Sequence, residues 1–479
     1  MPAIHRRALL ATALATAAAP LARAATPDPA PRPAKDVTLT LARWCVKTAY
    51  ADLPANVRKE GVRTLVNWLG AALGGSSHEA VAHAVAALAP LSGPAQASLV
   101  GRKERFDVRT AAFINGVASH VLDYDDTHLK TVIHPSVVIC PALLAVAEWK
   151  PVKGADFLAA QIVGTEAALR IGNAVYPNHY DVGWHITGTA GVFGAAAAVG
   201  RLLDLTEQQM VYALGLAASQ PVGLRESFGS MNKSFNPGAA AGAGVLAALL
   251  AANGFDSSPA MIEAKRGWAN TVSTKQDYRE ITEGLGTRYE AALNTYKPFP
   301  CGIVLHPPID AALKLRKANK IDPAAIDRVE LKVHPLVLEL TGKPAPADGL
   351  ESKFSVYHAV AVAIIEGAAG LKQFSDRAAR DPGVLALRGK VKPVVTQGIH
   401  EAQVDMTIVM KDGKKFNQFI EHAVGSVEAP LSDAELNAKF TDLADGILPA
   451  AQAKKAMDAC WNVEKLASAA EIAVTARSI

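Results

Sequence analysis

Aromatic residues are scarce in this sequence: phenylalanine, tryptophan and tyrosine together make up 6% of it, whereas half of all residues are hydrophobic. The hydrophobic content is therefore carried mainly by small and aliphatic side chains. Strands of β-sandwich proteins are usually rich in aromatic and β-branched residues, so this composition argues against an all-β fold. A chain of 479 residues is also long enough for two domains. We expect a mainly α protein of closely packed helices.

Cysteine is also rare, and no Cys-x-x-Cys pair or Cys/His spacing typical of a zinc site occurs. The ligand runs of iron–sulfur proteins are missing as well, which excludes that class of dehydratase. The cysteines are most simply interpreted as buried thiols, although an oxidising compartment would allow a pair to form a disulfide. The four residues concerned are Cys45, Cys140, Cys301 and Cys460.

The sequence has no marked excess of basic residues, with 49 lysines and arginines against 45 acidic residues. Three of the arginines, Arg6, Arg7 and Arg23, lie in a segment that we expect to be removed, which leaves the mature chain nearly neutral. A domain that binds nucleic acid normally has a clear basic excess and a recognisable reading module. We therefore predict no nucleic-acid partner and expect the ligand to be a small molecule.

The first 25 residues are typical of an export signal. Adjacent arginines precede a short apolar run, and an Ala-x-Ala site follows at Ala22 to Ala24. The arginine pair predicts twin-arginine transport, which carries folded proteins, and the run is too short to span a membrane. We predict a signal peptide at residues 1–25, a linker at residues 26–36, a periplasmic or otherwise exported protein, and no stable membrane anchoring. The competing interpretation is a disordered extension or a first helix on a cytoplasmic protein.

The periodicity of apolar residues divides the rest of the chain into three parts. Helical patterns, such as the one at residues 57–73, follow one another without a convincing strand to about residue 252. Alternation at residues 326–333 and a hairpin pattern at residues 402–420 indicate strands. Helical patterns return with a capping-box start at Ser432. We predict a large all-helical domain at residues 37–272, a smaller α+β lid domain at residues 273–428, and C-terminal helices at residues 429–479 that rejoin the helical domain.

The densest polar cluster runs from His120 to Ser136. If the segment is helical, Asp123 and Thr127 share a face, four residues apart. Pro135 suits the first position of a helix at residues 136–149, and this places His134 where unpaired N–H groups and the helix dipole attract an anion. The pattern predicts a site that binds a carboxylate.

A similar arrangement recurs three times further along the chain. We expect His185 to precede a helix capped by Thr187, Lys233 to precede one capped by Asn236, and His306 to precede a helix that begins near residue 309. A histidine near one helix end is usually structural, but the recurrence indicates a pocket for a substrate with two or three carboxylates. Removing a proton beside a carboxylate needs a base and stabilisation of the enolate-like charge. His134 and His185 are the candidates for proton transfer, and Lys233 for the stabilisation.

Metal binding is the alternative interpretation of this cluster. The histidines and aspartates could ligate Zn²⁺ or Mg²⁺, but there is no His-Glu-x-x-His motif, and lysine is intermixed with the carboxylates. We therefore predict neither a metal nor any other cofactor.

Several of these blocks resemble the MmgE/PrpD family, in order, from about residue 39 to the C-terminus. The resemblance implies an all-helical domain with an α+β lid, a homodimer, and chemistry at a carbon beside a carboxylate without a metal. It also implies Asp123, Thr127, His134, His185, Lys233 and Tyr357 as pocket residues, with His306 and Arg225 nearby, and gives Tyr357 a lid contact. The blocks are His120 to Thr127, His134 to Ser136, Gly183 to Gly191, Lys297 to Gly302 with His306, and Lys353 to Tyr357.

One position departs from the family pattern, because Asn236 stands where many members have a histidine. The resemblance implies a lyase on a small di- or tricarboxylate, and dehydration, decarboxylation and epimerisation stay open as outcomes. An exported carboxylate-binding protein without activity is the alternative from another class, and a scaffold protein is the third. Ligand-induced stabilisation without consumption of the ligand would identify a binding protein.

Overall fold

Helices dominate the computed structural model, which describes residues 35–478. The predicted signal peptide at residues 1–25 and nearly all of the predicted linker lie outside these residues. The first twelve helices are α1 Val37–Lys47, α2 Ala55–Gly75, α3 Glu79–Leu88, α4 Val108–His120, α5 Ser136–Trp149, α6 Gly154–Val175, α7 Asn178–Val182, α8 Ile186–Leu202, α9 Glu207–Ala218, α10 Asn232–Ala252, α11 Trp268–Val272 and α12 Arg279–Thr282.

The second half of the chain alternates short helices with strands. Its helices are α13 His306–Asn319, α14 Pro335–Thr341, α15 Gly349–Ser352, α16 Val356–Glu366, α17 Asp376–Ala379, α18 Pro382–Arg388, α19 Asp433–Ala444, α20 Ala450–Trp461 and α21 Ala470–Ala476. The strands among residues 35–478 are β1 Ala97–Ser98, β2 Arg105–Phe106, β3 Asp126–His128, β4 Asn294–Tyr296, β5 Ile326–Val333, β6 Val391–Val395, β7 Val404–Met410 and β8 Lys415–Ile420.

Small residues bring the central helices of the first half very close together. α6 packs on α8, which in turn packs on α10. A Cβ atom added to Gly164 of α6 would lie 2.6 Å from the carbonyl oxygen of Gly194 in α8, so neither position has room for a larger side chain. These glycines therefore act as contact points between closely packed helices.

Helix α10 is long and apolar enough to cross a membrane by length and composition alone, and it is the one such helix among residues 35–478. Two thirds of its most apolar stretch is buried inside the protein, where it packs against α4, α5, α8 and α9. Burial on several sides is typical of the core helix of a globular domain.

The second half contains a four-stranded sheet in the order β6-β5-β7-β8. β5 runs parallel to β6 and antiparallel to β7, and β7 and β8 form the predicted hairpin, with Gly413 at φ 86° in its turn. The alternating apolar residues of β5 (Ile326, Val329, Leu331 and Val333) are buried against α13 and α16. The structure thus confirms a mainly α fold with a small strand-containing region toward the C-terminus.

The expectation that no strand interrupts residues 39–252 is wrong in detail. β1 pairs with β2, and β3 pairs with β4 from well beyond that range. These strands have two or three residues each, too few to produce a period-two pattern in the sequence.

The last helices pack on the first half of the chain. α19 lies against α2 and begins with the predicted capping box, in which Ser432 and Glu435 bond each other's backbone N–H groups. The domain boundaries at residues 272 and 428 stay predictions. All four cysteines are buried and unpaired, and burial raises the pKa of the thiol of Cys45 to about 12.

Candidate active site

The segment between α4 and α5 supplies most of the acidic residues of the site. α4 ends at His120, and Asp123 has φ 53°, a left-handed conformation that does not continue a helix. The next residues form β3, so the expectation that Asp123 and Thr127 share one helix face is wrong. The non-helical path sends successive carboxylates to different partners, and this is what allows three aspartates in a row of four residues to be buried.

Two lysines meet at the carboxylate of Asp123. Lys233, in the first turn of α10, donates to Oδ1 at 2.9 Å, and Lys297 donates to the same oxygen and to the backbone carbonyl of Asp123 at 3.2 Å. Burial acts to raise the pKa of Asp123, but the two ammonium groups outweigh it and hold that pKa well below its usual range. The second oxygen, Oδ2, is buried and has no hydrogen-bond partner among the described residues. It can therefore accept a hydrogen bond from a ligand.

The hydrogen bonds of His134 fix which of its ring nitrogens carries the proton. Nδ1 lies 2.7 Å from the backbone carbonyl of Asp126 and 3.0 Å from the hydroxyl of Thr127. A carbonyl oxygen can only accept, so Nδ1 donates and Nε2 keeps its lone pair. Burial lowers the pKa of His134 well below its usual value, although Asp125 at 3.4 Å opposes this. His134 is thus a neutral imidazole whose Nε2 is available as a base.

His185 has the opposite tautomer because of Asn236. The hydroxyl of Ser227 donates to the carbonyl of Leu224 at 2.6 Å, so its oxygen must accept from the Asn236 amide at 3.1 Å. The same amide nitrogen lies 2.9 Å from Nδ1 of His185, which therefore accepts, and the ring proton stays on Nε2. Burial and then Lys233 lower the pKa of His185 well below its usual value. His185 is a neutral hydrogen-bond donor.

Gly223 permits this contact between Asn236 and His185. It has φ 112°, and a Cβ atom there would lie 2.7 Å from Cγ of Asn236. The Gly223 carbonyl accepts from the backbone N–H of His185 at 3.0 Å. The structure corrects both caps expected here. His185, not Thr187, is the N-cap residue of α8, and Asn236 lies inside α10, which begins at Asn232.

His120 completes a group of three adjacent imidazoles. Its ring centroid lies 5.0 Å from that of His134 and 5.8 Å from that of His185. Nδ1 of His120 contacts Asp125 at 2.8 Å, and Nε2 is buried with no hydrogen-bond partner in the part of the chain that the structure describes. Burial, followed by the charge of Lys233, lowers the pKa of His120 well below its usual value.

The remaining predicted residues lie at different distances from this group. The guanidinium of Arg225 stacks 4.1 Å above the ring of Tyr180 and pairs with Glu339 of α14 at 2.6 Å. His306 begins α13, three residues earlier than expected, and burial lowers its pKa to about 3. Tyr357 packs against the apolar core of the strand-containing region and does not line the site.

Two further lysines, which were not among the predicted site residues, hold the backbone around the site through hydrogen bonds to its carbonyl groups. Lys353 donates to the carbonyls of Leu122 and Pro300 at 2.7 and 2.9 Å. Lys439 of α19 donates to Tyr124 and Lys297 carbonyls at 2.6 and 2.8 Å, and burial lowers its pKa to about 7. A signal for Lys439 exists in the sequence, because it stands on the apolar face of α19 with Leu436, Phe440 and Leu443. Lys297 and Lys353 each begin a block that resembles the family.

Three side chains are close enough to ligate one metal ion, because ligand atoms of His120, Asp123 and Asp125 lie within 4.8 Å of one another. The ammonium groups of Lys233 and Lys297 already neutralise Asp123 and would repel a divalent cation. The donor set therefore fits an organic anion better than a metal.

The charged side chains line a small cavity of about 40 Å³, hereafter the charged pocket. Asp123, His134, His185, Lys233 and Lys297 all face it, and Phe228 and Phe354 form its apolar side. Both rings lie with their centroids 5.4 Å from the Lys233 ammonium, which favours a charged lysine at this position. The structure thus brings together four of the predicted residues, with Thr127 directly behind His134.

This chain belongs to the MmgE/PrpD family. Residues 39–281 match the MmgE/PrpD N-terminal domain, and residues 299–463 match the MmgE/PrpD C-terminal domain.

Similar curated proteins cover three quarters or more of this chain. Cis-aconitate decarboxylase of Aspergillus terreus (strain NIH 2624 / FGSC A1156) is 26% identical over 459 residues, which cover 90% of this chain and 94% of that protein. Cis-aconitate decarboxylase of Homo sapiens is 26% identical and covers 85% of this chain and 87% of its own length. 2-Methylcitrate dehydratase of Cupriavidus necator is 25% identical, with coverages of 75% and 80%.

Proposed function

We propose that this protein is a lyase that acts on a small di- or tricarboxylate by removing a proton beside a carboxylate, without a metal or other cofactor. The observation that carries the proposal is the charged pocket, where two lysine ammonium groups stand beside a neutral histidine whose Nε2 is unprotonated. The names of the similar proteins, cis-aconitate decarboxylase and 2-methylcitrate dehydratase, support this reaction class.

Substrate carboxylates are attracted by lysines and by helix N-termini. Lys233 has three N–H donors and uses one on Asp123, so two can bind a carboxylate. His134 lies two residues before the start of α5, His185 caps α8, and Lys233 lies in the first turn of α10. The positive ends of three long helices therefore face one small volume, which favours an anion there.

The proton is removed by His134. Its Nε2 takes the proton from the carbon beside the bound carboxylate, and Asp125 stabilises the imidazolium that forms. The negative charge moves onto the substrate carboxylate, where it is stabilised by the Nε2–H of His185 and by Lys233. His185 acts as a neutral hydrogen-bond donor in this scheme, because losing its only ring proton would leave an imidazolate.

Activity on a panel of hydroxy-, unsaturated and amino-polycarboxylates tests the proposal, and product analysis separates dehydration, decarboxylation and epimerisation. We expect His134→Gln to lower kcat by about 10²- to 10⁴-fold, the usual contribution of a general base. His83→Gln, at an exposed position, is the matched control. If a polycarboxylate raises the melting temperature but is never consumed, the protein is a binding protein and not a lyase. Wild-type turnover by His134→Gln would refute the role of His134.

We also propose that residues 1–25 direct export and that the mature protein is a homodimer. The first proposal rests on the first 25 residues of the sequence alone, and the second rests on what the family resemblance implies. N-terminal sequencing of the protein isolated from the periplasm tests the first, and an intact Met1 would contradict cleavage. Sedimentation equilibrium of the mature chain tests the second, with a monomer as the contradicting result.

A further inference from the structure

A second, larger cavity of about 380 Å³, hereafter the outer cavity, adjoins the charged pocket. The two cavities lie against each other, because five residues line both of them. The shared residues are Val132, Tyr180, Ile303, Val304 and Leu340.

The charged pocket is too small to hold a whole polycarboxylate. One water molecule needs roughly 10 to 15 Å³ of such space, so about 40 Å³ corresponds to roughly three waters. A carboxylate group has three heavy atoms, so the pocket accommodates a carboxylate close to the reacting carbon. The outer cavity, which has more than nine times that volume, is an adjoining space large enough for the rest of the substrate.

The inner wall of the outer cavity is mainly apolar, with His306 and Ser426 as buried polar residues in its lining. Val304 and Tyr180 are buried there, and Leu336 and Leu340 of α14 add aliphatic surface. The charged residues that line it lie at its exposed side, among them Glu401 and Glu428. A group that enters the outer cavity along the shared residues therefore meets hydrocarbon first, and the lysine that lines this cavity, Lys130, is exposed and already paired with Glu280.

We infer that the substrate is a polycarboxylate with an apolar substituent longer than a methyl group, and that this substituent lies in the outer cavity. The inference rests on the proposed function. A homologous series of 2-alkylcitrates and the corresponding alkyl-substituted aconitates, from methyl to octyl, is the probe. We expect kcat/KM to rise about fourfold per methylene until the cavity is filled, because each buried methylene contributes about 0.8 kcal/mol.

Filling the outer cavity by mutation should remove this chain-length dependence. Leu336 lines the outer cavity but not the charged pocket, so Leu336→Trp should flatten the series, and Val424→Phe should do the same from the opposite wall. Leu385→Trp, on the exposed side of α18, is the matched control and should keep the dependence of the unmodified enzyme. Melting temperatures identify a variant that has failed to fold, in which case the other variant decides.

The outcomes separate the two proposals. If the short acids are consumed but kcat/KM stays constant or falls as the alkyl chain lengthens, the apolar substituent is refuted and the lyase proposal is not affected. An unchanged dependence in a folded Leu336→Trp or Val424→Phe variant overturns its placement in the outer cavity. If no member of the series is consumed, the inference is overturned, and the lyase is refuted as well only when the panel of hydroxy-, unsaturated and amino-polycarboxylates is not consumed either.

Discussion

Replacing Asn236 by aspartate should reverse the tautomer of His185. A carboxylate at this position can only accept from Nδ1, so the neutral ring would carry its proton on Nδ1 and present a bare Nε2 to the charged pocket. The change removes one donor from the group that stabilises the developing negative charge. Loss of one such donor typically costs about 10²- to 10³-fold in kcat, or about 2.7 to 4 kcal/mol. We expect that loss at neutral pH, measured at saturating substrate.

The pH profile of Asn236→Asp distinguishes this effect from simple damage. In the unmodified protein, burial and Lys233 hold the pKa of His185 below its usual value, so the ring stays neutral near pH 7. The new carboxylate favours the imidazolium and raises that pKa. Below the raised pKa the ring carries both protons and Nε2–H is restored. Activity of the variant should therefore recover as pH falls from about 8 toward 5.

Two comparison variants make the test decisive. Asn236→Leu removes the amide without imposing the other tautomer, so the ring can still place a proton on Nε2, and the loss of kcat should be far smaller than in Asn236→Asp. Asn232→Asp introduces the same charge at an exposed position at the start of α10 and should behave as the unmodified protein. If the leucine variant loses as much activity as the aspartate variant, or if the aspartate variant shows no recovery at low pH, the tautomer argument is wrong.

Two further predictions concern stability. Lys297→Met leaves the buried Asp123 carboxylate with one ammonium partner instead of two and should lower the free energy of unfolding by about 3 to 5 kcal/mol in urea titrations, against no measurable change for the exposed Lys465→Met. Burial and then Asp125 raise the pKa of the Asp126 carboxyl to about 6. Its contribution to the free energy of unfolding is therefore fully present below about pH 4 and is lost as the pH rises through 6. The free energy of unfolding should fall by about 3 kcal/mol over that interval, which lowers the urea midpoint, and Asp126→Asn should flatten this pH dependence. An identical pH dependence in both proteins would contradict the assignment.

The elements that could be predicted from the sequence are those determined by their own local pattern. The alternation of β5, the Asp-Gly turn of the β7–β8 hairpin and the capping box of α19 are each decided within about ten residues. The helix at residues 136–149 was predicted with its observed bounds because a proline marks its start.

The details of the site were harder to predict because they depend on distant partners. Nothing local distinguishes a helical path from the observed one after His120. The left-handed Asp123 is held by lysines more than 100 residues away in sequence. Asn236 suits an N-cap by composition, yet it lies one turn inside α10 and bonds His185. Lys439 was missed because a lysine in a helix is usually solvated, whereas here three oxygen atoms surround its ammonium.

The position of Lys439 also has a consequence for how the protein is made. The carbonyls that it holds belong to Tyr124 and Lys297, and its third acceptor is the side chain of Asn67. During synthesis these three segments leave the ribosome long before α19 does. The growing chain can form helices early, but the backbone around Asp123 acquires its last support only when the final tenth of the polypeptide has emerged. A ribosome that stalls before that point would release a protein with every predicted catalytic residue and no finished site.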